Sequence, residues 1–368
     1  MRWWKYIVLT IAFGVCLSAA NVSASEAVTE HQNVQDTSLA SHAEDEKSDE
    51  VDVAELVFGH IGDSYGWHMT TWKGKHITIP LPCIVYSSTG WHVFMSSELE
   101  HGQVYEGLFL SEDGKIMEMM PDGSVKRPFD ISITKNVASL MVSALLLIVI
   151  VIWTARWYKR HDTVKEGAPK GFAGLMEMLV VMVTDDLIKP SIDEKHYRKY
   201  TPFLLTVFFF IFLSNLLGIV PFFPGGANVT GNIAVTMVLA LFSFFMVNLF
   251  ADKHYWKEIL WPDAPIFLKF PLPIMQVIEI FGMISKPFSL MVRLFANILA
   301  GHAMILGLVA VIFVTAKMGP VLSGSMTAIT VVFGVYMDCL ELLVAFIQAY
   351  VFTMLSAVFI GMSRQGGH

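Results

Sequence analysis

The chain has 368 residues, a net charge of −7 and 54% hydrophobic residues against only 15% charged ones, with a mean hydropathy of +0.57. Such a balance excludes an ordinary soluble enzyme. It offers no basic surplus for a nucleic-acid backbone either, so the class that remains is a polytopic membrane protein.

Residues 1–24 read as a signal peptide. Arg2 and Lys5 make a positive start, 7–20 is an apolar run too short to span a bilayer, and Val22-Ser23-Ala24 ends in small residues suited to cleavage. A retained signal anchor is the other reading, and either one exports the segment after it. Residues 25–57 form an acidic tail: ten Asp or Glu between Ser25 and Glu55 stand against Lys47 alone. Composition of this kind predicts a solvated, disordered segment.

Residues 58–130 change character. Trp67, Trp72 and Trp91 lie among short β-branched stretches such as His76-Ile77-Thr78-Ile79, and Asp113-Gly114 and Asp122-Gly123 flank a strand-like run. A small β-rich exported, periplasmic region is expected. Its histidines show no metal-ligand spacing.

From residue 131 to 364 the chain reads as an all-α membrane domain. Residues 137–155, 202–220 and 233–251 are each about 19 nearly uncharged residues, enough for a hydrocarbon core of about 30 Å. The apolar tracts 274–316 and 325–362 would be about 64 and 57 Å long as single helices, so each must be tilted, bent or broken. Residues 172–183 are too short to cross and are expected to lie at the interface or re-enter. Lys and Arg gather after the first span and again at 189–199 and 253–257, which marks those segments as cytoplasmic. An exported N-terminus then requires an odd number of spans. Five satisfy it, with a long tilted helix hairpin at the end and a cytoplasmic C-terminus.

Arg293 stands in the middle of the first long tract. A guanidinium stays charged wherever it sits, at a cost of about 2.5–3.5 kcal/mol at a bilayer centre, so it faces protein or water and marks an ion path or a structural ion pair. Asn297 is four residues on and shares its face, while His302 is nine on and points to the opposite side. On the last tract Glu341 and Gln348 share a face, with Asp338 one turn from Glu341. Asn297, His302, Asp338 and Glu341 all fall to the exported side of Arg293 and Gln348. Titratable groups on one side of a fixed midplane cation suggest an aqueous half-channel ending at a gate. Helix–helix hydrogen bonding would account for Asn297 and Gln348 alone.

The run Ser285-Lys286-Pro287, Ser289-Leu290 and Arg293-Leu294-Phe295-Ala296-Asn297, with Gln348 in a late apolar helix, resembles subunit a of F-type ATP synthases over about residues 131–364. The resemblance implies a non-catalytic proton-channel stator whose two half-channels couple proton flow to rotation of a c-subunit ring. The implied partners are that ring, the b-subunit stator stalk and the remainder of the synthase, in the cell inner membrane and with no cofactor. Arg293 would stand opposite the rotor carboxylates, Asn297 and Gln348 near it, and Ser289 on the cytoplasmic exit. His302 occupies a position where the familiar bacterial form has glutamate, and Glu341 one where it has histidine, an exchange seen in mitochondrial versions. The two are expected to face each other as one titrating unit. The resemblance implies nothing for the acidic tail or the β-rich region.

A proton-coupled secondary transporter is the alternative. It too would bury Arg, Glu and His, but no internal repeat of two halves is visible. An intramembrane metalloenzyme would need a His-Glu-x-x-His pattern, which the sequence lacks, as it lacks any Gly-x-x-x-x-Gly-Lys-Ser/Thr phosphate loop.

Overall fold

The computed structural model describes residues 62–364, apart from 73–74, 112–113, 121, 162–166, 168, 221–224, 262–273 and 317–318. The expected signal peptide (1–24) and acidic tail (25–57) lie outside the described residues.

The β-rich region consists of β1 (Gly66–Trp72), β2 (Lys75–Pro80), β3 (Pro82–Ser87), β4 (Gly90–Met95), β5 (Leu108–Leu110), β6 (Ile116–Met119), β7 (Val125–Lys126) and β8 (Phe129–Asp130). They form an antiparallel β1–β2 hairpin and two three-stranded sheets, ordered β4–β3–β8 and β5–β6–β7. Alternation of side chains along a strand sends Cys83 and Val85 of β3 inward. There they meet Phe94, Leu99, Leu108 and Ile116 in a small core. Burial pushes the Cys83 thiol up to about 12, so it stays protonated. Gly114 and Gly123 adopt positive φ in the turns on either side of β6, where an L side chain would be strained.

This region is bolted to the first membrane helix, α1 (Lys135–Arg160). An α-helix leaves its first N–H groups without internal partners. Here Ser64 O accepts from Lys135 N at 2.8 Å, and Asp63 Oδ1 accepts from Asn136 N at 3.0 Å. Thr134 caps the same end. Asp63 is exposed along part of its surface, yet the protein packed around its carboxyl raises it above its ordinary value, and the hydrogen bonds it accepts only partly oppose this.

The membrane part continues with α2 (Phe172–Met182), a π-helical turn (Val183–Ile188), α3 (Tyr197–Ile219), α4 (Ile233–Leu249), α5 (Lys253–Leu260), α6 (Ile274–Ala316) and α7 (Pro320–Arg364). Four of these helices, α1, α3, α6 and α7, are long and apolar enough to cross a bilayer; α4 is apolar but shorter, at 17 residues. At 1.5 Å per residue α4 measures about 25 Å, near the lower limit for a span. Helix α2 has 11 residues and packs Ala173, Met176 and Leu179 inward, too short to cross. Both long tracts are single helices, of 43 and 45 residues. Each is about 65 Å long, so within a bilayer they must incline or curve rather than stand upright.

Helices α6 and α7 pack along each other and against α3 and α4. The core between them is built from Leu204, Phe208 and Ile211 of α3, Val235 and Leu239 of α4, Leu290, Leu294 and Ile298 of α6, and Phe352 and Ala357 of α7. At the far end of α7, Arg364 donates to Asp252 Oδ1 at 2.9 Å and, through Nε and Nη2, to the Tyr200 hydroxyl at 3.0 and 2.9 Å. That fork ties the C-terminal end of α7 to the start of α3 and to the α4–α5 link.

Candidate functional site

The spacing of α6 sorts its residues onto two faces. Leu290, Leu294 and Ile298 follow each other at four-residue intervals and are buried. Ser289, Arg293 and Asn297 follow the same interval one position earlier and are exposed. The apolar stripe holds the helix in the bundle, so the polar stripe is turned outward. Among the described residues no carboxylate pairs with Arg293. A permanent cation on the outer face of a membrane bundle cannot rest against acyl chains and calls for protein or water there.

His302 and Glu341 point the other way, into the packed interior between α6 and α7. His302 Nδ1 and Glu341 Oε1 stand 2.6 Å apart, an ion-pair distance for a protonated imidazole, without hydrogen-bond alignment. Glu341 is only 6% exposed. Two glycines make room for the pair. A Cβ on Gly301 would come within 3.1 Å of Glu341 Oε1, and one on Gly218 would touch the His302 ring at 3.7 Å. The absence of a side chain at 301 thus lets the carboxylate lie close against the backbone of α6.

Other polar groups continue this layer. Asn215 of α3 donates to Ala345 O at 3.4 Å, one turn beyond Glu341, and accepts from Thr230 Oγ1 at 2.5 Å. Asn215, Asn228 and Thr230 are all buried. Buried side-chain amides and hydroxyls need hydrogen-bond partners, and such a polar layer beside an acid–base pair can order water, through which protons move. Gln348 is buried on α7, two turns past Glu341, whereas Asp338 is exposed.

The structure therefore separates the seven sequence-marked residues into groups. Ser289, Arg293 and Asn297 share the outer face of α6; His302 and Glu341 meet inside; Gln348 is buried on α7; Asp338 stands apart on its exposed side. Sequence reading missed Asn215, Thr230, Gly218 and Gly301. Asn215 was visible as an amide within an otherwise apolar run. The glycines carried no such signal, because what they permit depends on the neighbouring helix.

A family model described as ATP synthase A chain matches residues 139–361. A second, described as a domain of unknown function (DUF8433), matches residues 56–136. The chain is 39% identical over 264 residues to "ATP synthase subunit a" of Chloroherpeton thalassium, a match that spans 68% of this chain and 74% of the relative. It is 38% identical over 306 residues to the protein of that name from Myxococcus xanthus, spanning 79% and 90%. It is 40% identical over 258 residues to "ATP synthase subunit a 2" of Chlorobaculum tepidum, spanning 68% and 70%.

Proposed function

This chain belongs to the ATP synthase subunit a family, and we propose that it is the proton-channel stator of an F-type synthase. In this reading two aqueous half-channels couple transmembrane proton flow to rotation of a c-subunit ring and so to ATP synthesis. Membership makes the chain a multi-pass membrane component of the synthase, involved in proton transport. The finer reading has five spans with α4 as the short one, a periplasmic N-terminal region and a cytoplasmic C-terminus in the inner membrane. A b-subunit stalk would hold the chain against the ring, and nucleotide chemistry would occur on other subunits.

The observation that carries this is the arrangement, on opposite sides of α6, of one acid–base pair and a cation with no carboxylate partner among the described residues. Protons entering by Glu341, His302 and Asn297, along the layer with Asn215 and Thr230, would neutralise a rotor carboxylate. A neutral carboxyl can face lipid without the cost of a buried charge. Arg293, on the open face with Ser289 and Asn297, would stabilise each ionised rotor carboxylate as it passes and repel a proton taking the direct route. Gln348, buried on α7, would lie at the inner end of the entry path, and Asp338, exposed one turn from Glu341, would stand outside it. One charge crossing 100 mV releases about 2.3 kcal/mol, so several protons must pass for each nucleotide made.

The test is Arg293→Ala. Proton-driven synthesis and ATP-driven acidification of vesicles should both be lost while the complex still assembles. Arg293→Lys should fail nearly as badly, because a lysine can give up its proton in a dry site. Normal acidification by the alanine variant would overturn the reading.

A further inference from the structure

The outward face of the β4–β3–β8 sheet carries no charged side chain, although it belongs to the part of the chain that stands beyond the membrane helices. Its residues form three rows across the strands, the first being Pro82 opposite Met95. Ile84 lies opposite Val93, and Ile131 donates its N–H to Ile84 O, making an aliphatic row. Tyr86 lies opposite both Trp91 and Phe129, making an aromatic row with the Tyr86 and Trp91 rings 5.1 Å apart. Val93 is 68% exposed and Trp91 61%. A contiguous apolar patch of this kind marks a contact surface.

The order of the rows relative to α1 indicates what is contacted. Residues 131–134 alone separate β8 from the first residue of α1, a reach of at most about 18 Å. Ile133 N also donates to Pro82 O at 3.1 Å, so the Pro82 end of the sheet is the end beside the helix. Moving away from α1, the outward face runs from the aliphatic row to the aromatic row and then to the hydroxyl-bearing turn Ser88–Thr89. That sequence follows the polarity of a leaflet, with aliphatic groups deep, Trp and Tyr at headgroup level and hydroxyls in water. Because α1 is itself a membrane helix, the sheet is held at the leaflet and needs little free energy to settle there.

We propose that this sheet face docks into the leaflet that the N-terminal end of α1 enters, making the β-rich region a membrane-seated collar rather than a free domain. The proposal does not depend on the proton path. It is tested with the whole complex in lipid vesicles, its other cysteines replaced by Cys16→Ser and Cys339→Ser and by matching changes in other subunits. Cys83 is fully buried and protonated, so it can remain. A nitroxide is placed at Val93→Cys, with Asp122→Cys in an exposed turn as the water reference. The ratio of relaxation by oxygen to relaxation by a water-soluble nickel chelate should be several-fold higher at 93 than at 122. Equal ratios would mean that the face looks into water, and the exclusion of both reagents from 93 would mean that a protein covers it. Either result overturns the proposal.

Discussion

Replacing His302 by Gln removes the base from the buried pair while keeping a polar side chain of similar reach. The two groups are 2.6 Å apart and Glu341 is almost wholly inside. At an effective dielectric of about 20 their attraction is about 6 kcal/mol, before the cost of drying both charges is subtracted. Removing one partner of such a buried pair typically costs about 3–5 kcal/mol, because the remaining charge has no compensation. If proton entry requires Glu341 to ionise, about 3 kcal/mol corresponds to a conduction rate reduced more than a hundredfold. The assay is passive proton permeability of vesicles stripped of the catalytic head. The stronger form is a double-mutant cycle: His302→Glu and Glu341→His should each be severe, and the double exchange should recover much of the rate, since an acid and a base again meet. A double variant as slow as the product of the two singles would show that the residues act independently, and the paired-channel reasoning would fail.

The packing sets three further outcomes. Gly301→Ala brings a methyl to 3.1 Å from Glu341 Oε1. The flexible carboxylate end should yield by a few tenths of an ångström, leaving assembly intact and proton permeability a few-fold lower; unchanged permeability would show that its position is not critical. Arg364→Ala should cost about 1.5–3 kcal/mol by breaking charge-assisted bonds to Asp252 and Tyr200. Thermal unfolding would measure that, with Tyr200→Phe expected to lose a smaller part. At the β-region junction the native Asp63 carboxyl is raised from 3.8, so the folded state binds its proton more readily than the unfolded one. Its contribution to stability is fullest below pH 3.8 and declines as pH rises through the raised native value. At neutral pH Asp63→Asn, which retains an acceptor without the charge, should therefore hold the α1 cap at least as well as wild type, while Asp63→Ala should loosen it by about 1 kcal/mol. Amide exchange at Asn136 reads this directly, and faster exchange in the asparagine variant than in the alanine one would refute the account.

Much of the molecule is legible from its residues because bilayer physics leaves few choices. A run of apolar side chains as long as 202–220 or 274–316 has to be helical in lipid, where every backbone N–H and C=O must be satisfied within its own segment. Arg293 announces itself for the same reason, since no other residue type is as costly and as permanently charged in that setting. Helical periodicity alone also placed Arg293 and Asn297 on one side and His302 on the other.

Distances between helices are another matter. That His302 lies against Glu341, 39 positions later, depends on how α6 and α7 pack, and the packing depends on small residues such as Gly301 and Gly218 whose effect exists only beside a neighbour. The buried layer of Asn215 and Thr230 is likewise assembled from segments that periodicity cannot align. In the β-rich region β-branched stretches and turn pairs suggested strands, but only the pairing of β4, β3 and β8 gathers Ile84, Val93, Tyr86, Trp91 and Phe129 onto a single exposed face. Local chemistry determines what each segment can be; which side chains meet is decided by close packing between segments far apart in the chain.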